Sequence, residues 1–518
     1  MILDAIERRI AFYRNECSDF VDVCAIFAAL DDSTPALLAE HLMKHLHTEV
    51  PGIESVLAQS GFLTWRNHAY HFCHEHYQAA FRMQQVKNKA LLSECFSYYS
   101  RLARKKPKDS YSEIKLWLLD ENVDFGQVRC AILALLRKSL SISMQQSLYK
   151  LLIDIPPLPS GMDLPLHKTL FLLAETYVRD GSWKSAQEYL ERLLTLPRGS
   201  RFSELLIHVK AHQELSNILG DRLLFDRAIR TVDDGLDLIE ISLKRPLTEK
   251  QRNSLYVERE KLLARLAVCY WFSGDFVRGL SVQRRCYDMA VARGDKYSAG
   301  HVLYEIGTLE LHFDPKVCVA IMEVVLAECR SIHSLETYER TLIETQLLIG
   351  KLLLAAGERD RGALREARLE CIRLLNLKAD SPHSYEEFLC LTMRGICAFL
   401  EDGDAGRAQG YFLESLQCAI ENDMPNLTWK ALFHAAQMCS LLNDTNAELY
   451  AKEAYAYLND ALKNNPKHQS RLMHMLEPVL ERLDDILGQK SRNEGAQAGD
   501  TQTMISLSEN GCLFVIMN

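Results

Sequence analysis

The chain has 518 residues, 48 % of them apolar and 25 % charged, with a formal net charge of −9. These are the proportions of a folded, water-facing chain, and the length allows roughly two to four domains. The acidic balance gives no electrostatic footprint for nucleic acid or for an anionic membrane.

The opening MILDAIERRIAFY is amphipathic and charged, unlike a secretory signal. No apolar run is long enough to span a bilayer, so a cytoplasmic chain is expected. The fifteen cysteines are spread singly, with no C-x-x-C pair. Cys269, Cys286, Cys397 and Cys439 fall at apolar helix positions, as reduced, buried, small hydrophobes do.

In residues 1–105, SDFVDVCAIFAAL, TPALLAEHLMKHL and VPGIESVLAQS read as three short helices. In GFLTWRNHAYHFC the alternations Phe62/Thr64 and Tyr70/Phe72 fit two short strands, with Arg66-Asn67-His68 as their turn. A single helix is expected from near Glu75 through FRMQQVKNKALLSECFSYYSRL. Three helices, a hairpin and a trailing helix make a winged-helix domain.

The hairpin region is dense in imidazole and thiol groups: His68, His71, Cys73, His74 and His76. These are good zinc ligands. The H-E-x-x-H pattern fails, however, because Gln78 and Ala79 follow Tyr77. On a strand His71 and Cys73 share a face, whereas His74 and His76 open a helix and diverge, so no metal is expected. Residues 1–105 carry 11 Lys/Arg against 12 Asp/Glu. That is not the positive face of a DNA-binding winged helix.

Residues 106–165 read as a helical linker region ending at DIPPLPSGMDLP, where the prolines forbid continuation. From 166 to 485 helix follows helix. In LFLLAETYVRDGSWKSAQEYLERLL, Leu170, Leu173, Ala174 and Tyr177 share one face, Asp180-Gly181-Ser182 turns, and Ala186, Leu190 and Leu193 line a second helix. In LLARLAVCYWFSGDFVRGLSVQRRCY, Leu263, Leu266, Ala267 and Tyr270 keep that spacing, Ser273-Gly274-Asp275 turns, and Gly279 stands where Ala186 stood. Small residues there let two helices cross closely. Tyr177, Tyr270 and Trp271 are read as core at this spacing. Weaker copies carry Gly350 with a Gly357 turn, Gly395 with a Gly403-Asp404 turn and Ala408, and Ala435 with an Asn443-Asp444 turn. A further pair lies in LLIHVKAHQELSNILGDRLLFDRAIRTVDDGL.

This pattern resembles the tetratricopeptide repeat, a helical hairpin of about 34 residues. Six to eight copies are expected, stacked into a superhelix with a concave groove. The competing reading is an irregular helical array without a binding role. Residues 486–518 read as a flexible linker, QKSRNEGAQAGDTQT, then a short C-terminal β-hairpin around Asn510-Gly511, a truncated or small added domain, with pairing to another sheet or disorder as the alternatives. Cys512 is too far from the end for a prenylation box. The fold class is thus mostly α: a winged-helix domain, then a TPR-like α-solenoid, then a short hairpin.

The segment 1–105 also resembles the winged-helix region that follows the ATPase core in STAND NTPases, signal-transducing switches that include the NB-ARC proteins. A helix ending in the pair Arg8-Arg9 leads into an apolar helix. Phe72-Cys73-His74-Glu75, with Ala79 five residues after His74, is similar to the family phrase F-x-M-H-D-x-x-x-x-A. Cys73 stands for the family's Met or Arg, and Glu75 for its Asp. The resemblance implies that His74 reaches the β-phosphate of bound ADP and senses the nucleotide. The alternative is that His74 caps or packs the helix start.

There is no G-x-x-x-x-G-K-[ST] loop: Gly350-Lys351 lies within a repeat helix, with Thr345 at the first glycine position. ADP or ATP therefore belongs to a nucleotide-binding core upstream or on a separate chain, unless the relation is architectural only. No cofactor, metal or catalytic motif is expected in these residues, and so no enzyme. The expected function is the sensor and regulatory portion of a STAND-type switch. The repeats would bind a protein or peptide trigger at groove residues the sequence does not identify, and assembly of several copies on activation follows from the resemblance. The alternative is a stand-alone repeat adaptor.

Overall fold

The long runs rich in Leu, Ala, Glu and Arg favour helix, and helix dominates the computed structural model. It describes residues 2–16, 18–30, 38, 42, 60–66, 69–73, 75–82, 84, 86–100, 106–120, 122–157, 164–198, 201–311, 313–331, 337–358, 360–377 and 384–488. The chain divides into two compact units, Met1–Asp180 and Gly181–Asn518. Among the described residues no helix is long and apolar enough to cross a membrane.

The first unit begins with α1 (Ile2–Glu16) and α2 (Ser18–Ala29). Strands β1 (Leu63–Arg66) and β2 (Ala69–Phe72) pair antiparallel, with Leu63 opposite Phe72 and Arg66 opposite Ala69. The expected strand pair is therefore present, and its turn residues Asn67 and His68 lie outside the described residues. Of the two short helices expected between 34 and 60, only Leu38, Leu42 and Ser60 are described, all of them buried. Helix α2 is mostly apolar and mostly buried: Phe20, Val23, Cys24, Ile26 and Phe27 are at most 1 % exposed. Around it Phe62 packs edge-on to Tyr77 at 4.9 Å and to Phe81 at 5.1 Å. Arg9 lies 4.7 Å over the Phe62 ring and donates to the Ser60 carbonyl at 2.5 Å, tying α1 to the hairpin entry.

The expected single helix from Glu75 is instead two, α3 (Glu75–Arg82) and α4 (Lys89–Ser100). The break has a physical cause. Buried Asp22 of α2 accepts from the Lys87 and Asn88 amides at 2.9 and 2.7 Å. The Asn88 side chain accepts from the Ala90 and Leu91 amides, which makes it the cap of α4. Val86 pairs with Asp120 in a short parallel bridge.

Helices α5 (Pro107–Trp117), α6 (Phe125–Leu136), α7 (Ile142–Asp154) and α8 (Leu166–Arg179) complete the unit. The region expected as a helical linker has its own small core around Ile132, Leu148 and Leu152. Buried Arg129 donates to the Leu152 and Ile155 carbonyls, both at 2.9 Å, and so satisfies the orphan end of α7.

The second unit is a stack of antiparallel helices. Its elements are α9 (Trp183–Thr195), α10 (Phe202–Asp221), α11 (Phe225–Leu243), α12 (Glu249–Phe272), α13 (Phe276–Ala292), α14 (Lys296–Glu310) and α15 (Pro315–Ser331). They continue with α16 (Thr337–Glu358), α17 (Arg361–Leu377), α18 (Ser384–Asp402), α19 (Ala405–Glu421), α20 (Pro425–Leu441), α21 (Ala447–Asn464) and α22 (Gln469–Gly488). Each helix packs on the next, and α10 on α12, α16 on α18 and α20 on α22. In these three places first helices of successive pairs lie side by side, as in TPR-like helical repeats.

The small residues sit where the helices cross. A Cβ on Gly279 would lie 2.9 Å from the Ala267 carbonyl oxygen, and one on Gly395 would lie 2.6 Å from Phe412 Cε1. Ala186 and Ala408 are fully buried. The turn glycines Gly181, Gly274 and Gly403 have φ of 72°, 82° and 69°, and Asn443 has 54°. Gly357 differs: it is the next-to-last residue of α16, which ends at Glu358. Gly350 and Lys351 lie inside α16, as expected. Residues 489–518, and with them the expected C-terminal hairpin, lie outside the described residues.

Candidate functional site

In the first unit the imidazole-rich stretch does not converge. His71 lies on β2 opposite Thr64, exposed Cys73 follows the strand, and exposed His76 opens α3. His68 and His74 lie outside the described residues. Among the described residues no group of three His, Cys, Asp or Glu side chains could hold a metal ion.

In the second unit α10, α12 and α14 bring charged groups together. Arg265 of α12 donates to the Asn217 carbonyl of α10 at 3.0 Å, and its path is open because residue 220 is glycine: a Cβ there would lie 3.3 Å from Arg265 Nη2. Three carboxyls feel the charge of this guanidinium. Burial pushes the Glu214 carboxyl up, against an Asn217 hydrogen bond and Arg265. Burial likewise raises Asp221, opposed by Arg265. Glu305 of α14 is raised by burial, against His301, a Gln283 hydrogen bond and Arg265. Arg265 Nε is buried without a hydrogen-bond partner among the described residues. Three helices thus present a half-buried row of one cation and three carboxyls, in which Arg265 Nε keeps a hydrogen bond unused among the described residues.

A second feature lies where the α10–α11 turn meets the α21–α22 turn. Asp226, at the start of α11, accepts from His468 Nδ1 at 2.5 Å and from the Lys467 amide at 2.9 Å. Asn465 accepts from the Asp226 amide at 2.9 Å and donates to the Leu223 carbonyl at 2.7 Å. Arg471 pairs with Asp275 at 2.8 Å. Leu223 holds φ of 60°, a left-handed conformation unusual for leucine that these bonds and its burial fix in place. Behind this clasp is a void of about 40 Å³, walled by Phe225, Trp271, Phe276, Trp429 and Leu476. Lys430, 2 % exposed, and Asn426, one turn before it on α20, supply its polar groups.

Of the aromatic residues read as core, Tyr177 and Trp271 are each 8 % exposed. Tyr270 is half-buried, with Arg278 over its ring at 5.8 Å. Trp271 also walls the void. Neither Arg265 nor Lys430 stood out in the sequence. The one available signal was a cation at a position whose neighbours in the helix are apolar.

No protein family pattern and no curated protein matches the chain. Among solved structures it is similar to a STAND protein with a tetratricopeptide repeat sensor from Pyrococcus horikoshii, at 14 % identity and a TM-score of 0.36, covering 90 % of this chain and 65 % of that one. This chain therefore spans less than two thirds of that protein. It is also similar to a Rap protein complexed with competence and sporulation factor, at 12 % identity and a TM-score of 0.37, covering 67 % of this chain and 95 % of that one. NprR in complex with its cognate peptide NprX gives 14 % identity and a TM-score of 0.38, covering 65 % of this chain and 87 % of that one. Similarity at this level carries no argument about function.

Proposed function

We propose that the repeat unit binds an extended peptide or protein segment along α10, α12 and α14. The observation that carries this reading is the row on α10, α12 and α14, with the unpartnered Arg265 Nε among Glu214, Asp221 and Glu305. A peptide backbone supplies both carbonyl acceptors for the guanidinium and amide donors for the carboxyls. Helical repeats commonly present such extended surfaces. No reaction is assigned to the chain. The test is selection from a random peptide display library on the purified protein. Selected sequences should lose at least about tenfold in affinity on Arg265→Ala, the size expected for a charge-assisted hydrogen bond. Selections that ignore Arg265→Ala would refute the reading.

Within that role the chain serves as the sensor and regulatory portion of a STAND-type switch. The hairpin packed on α1, α2 and α3 acts as the winged helix, and His74 reads ADP or ATP held by a nucleotide-binding core. The motif Phe72-Cys73-His74-Glu75 and the Arg9 link to the hairpin entry support this. Coupling requires that the trigger bind one state better than the other. The runner-up is a stand-alone adaptor, favoured by the lack of a phosphate loop in these residues. The coding sequence upstream of Met1 separates the two: a phosphate loop there supports the switch, and an unrelated gene supports the adaptor.

A further inference from the structure

Lys430 is an anomaly that peptide binding along that row does not use. Lysine is almost never fully buried without a partner, yet Lys430 is 2 % exposed and has no hydrogen bond or ion pair among the described residues. The nearest group with which it interacts is the Trp429 ring, 5.7 Å from Nζ. The elements packed against it bring no titratable group to the void: Leu223 and Phe225 precede and open α11, Trp271 and Phe272 end α12, and Phe276 opens α13. Helix α21 adds Leu458 and Ala461, and α22 adds Leu472, Met475 and Leu476. On α20 itself the titratable neighbour is His434, one turn on, whose imidazole burial holds neutral, with the Lys430 charge acting in the same direction. The site therefore has a cation donor, an amide and no counter-charge.

We propose that this void binds a short-chain monocarboxylic acid, its carboxylate on Lys430 Nζ and the Asn426 amide and its aliphatic stem among Trp271, Phe276 and Trp429. The chemistry follows from the walls. One cation selects a monovalent anion, and one amide adds a directional donor. The aromatic remainder favours an apolar stem over a hydrated inorganic ion. About 40 Å³ holds roughly three waters, so it admits a carboxylate with a stem of a few carbons rather than the end of a peptide. Binding draws a proton onto the amine: burial has lowered the Lys430 pKa to about 7, and a carboxylate contact restores the charged form. The carboxylate stays ionised across this range, so affinity should fall about tenfold between pH 6 and pH 8.

The experiment is ligand-observed NMR with acetate, propionate and butyrate on the full chain at constant ionic strength. At least one acid should bind saturably at pH 6, about tenfold more weakly at pH 8, and at least about tenfold more weakly to Lys430→Met. That variant puts an apolar side chain of similar length in an apolar site, so its melting temperature should equal or exceed the parent's. Asn426→Leu, which leaves the amine in place, should weaken binding several-fold. Propanol and propionamide should not distinguish parent from Lys430→Met. Arg265→Ala should leave acid binding unchanged, which separates this site from the peptide row. The proposal is overturned if none of the three acids saturates, if Lys430→Met binds equally well, if chloride displaces the acid at equal concentration, or if only a peptide with a free C-terminus binds.

Discussion

Lys430 carries a consequence for stability even without a ligand. The unfolded chain titrates this amine near 10.5, the folded chain near 7. Between these values the unfolded state binds more protons, so stability rises with pH. Below about pH 7 both states are charged and the desolvation cost is fully present. The parent should therefore gain stability relative to Lys430→Met as pH rises from about 7 to about 10.5, by several kcal/mol in total. Parallel urea titrations of the two proteins check this, and a pH-independent difference would contradict it. At this scale the sequence was least informative. It pointed to the crowded histidines near residue 71, because ligand-type residues are conspicuous in a string. It was silent on Lys430 and Arg265, because burial of a cation is a property of the surrounding helices and not of its neighbours in the chain.

The helices themselves were largely legible, because helical periodicity and turn chemistry are local. Gly181, Gly274, Gly403 and Asn443 adopt the left-handed backbone the turns required. The pair α14 and α15 carries no such local signal, since its connection runs through Phe313-Asp314-Pro315 and contains no glycine. The break between α3 and α4 carries none either, since it depends on Asp22, distant in sequence, accepting from two amides. Among the crossings Gly395 is the tightest. The Phe412 ring that faces it is fully buried and stacked on His434 at 4.6 Å, so it has nowhere to retreat. Gly395→Ala should cost about 1–3 kcal/mol despite the better helix propensity of alanine. Thermal unfolding would show this as a lowered melting temperature, and an unchanged or raised one would mean that α18 and α19 part more easily than their packing implies.

Within the second unit an early turn is joined to a late one, which an open repeat stack does not do. Open stacks unfold piecewise because each repeat touches only its neighbours. Here Asn465 and Asp226 link the α10–α11 turn to the α21–α22 turn. Asn465→Ala would orphan the Asp226 amide and the Leu223 carbonyl, each at about 1–3 kcal/mol. The variant should lose hydrogen-exchange protection in α21 and α22 before the rest of the unit, while the parent loses protection throughout together. Equal behaviour of the two would show that the clasp couples nothing.

The same clasp sets a timetable for synthesis. Asp226 and His468 are 242 residues apart, so at roughly 5–20 residues per second the second leaves the ribosome about 12–48 s after the first. For that interval Leu223, Phe225 and Trp271 belong to a wall whose other half has not been made. The nascent chain is then a natural client for a chaperone that shields apolar surface, released when α22 arrives and closes the seam.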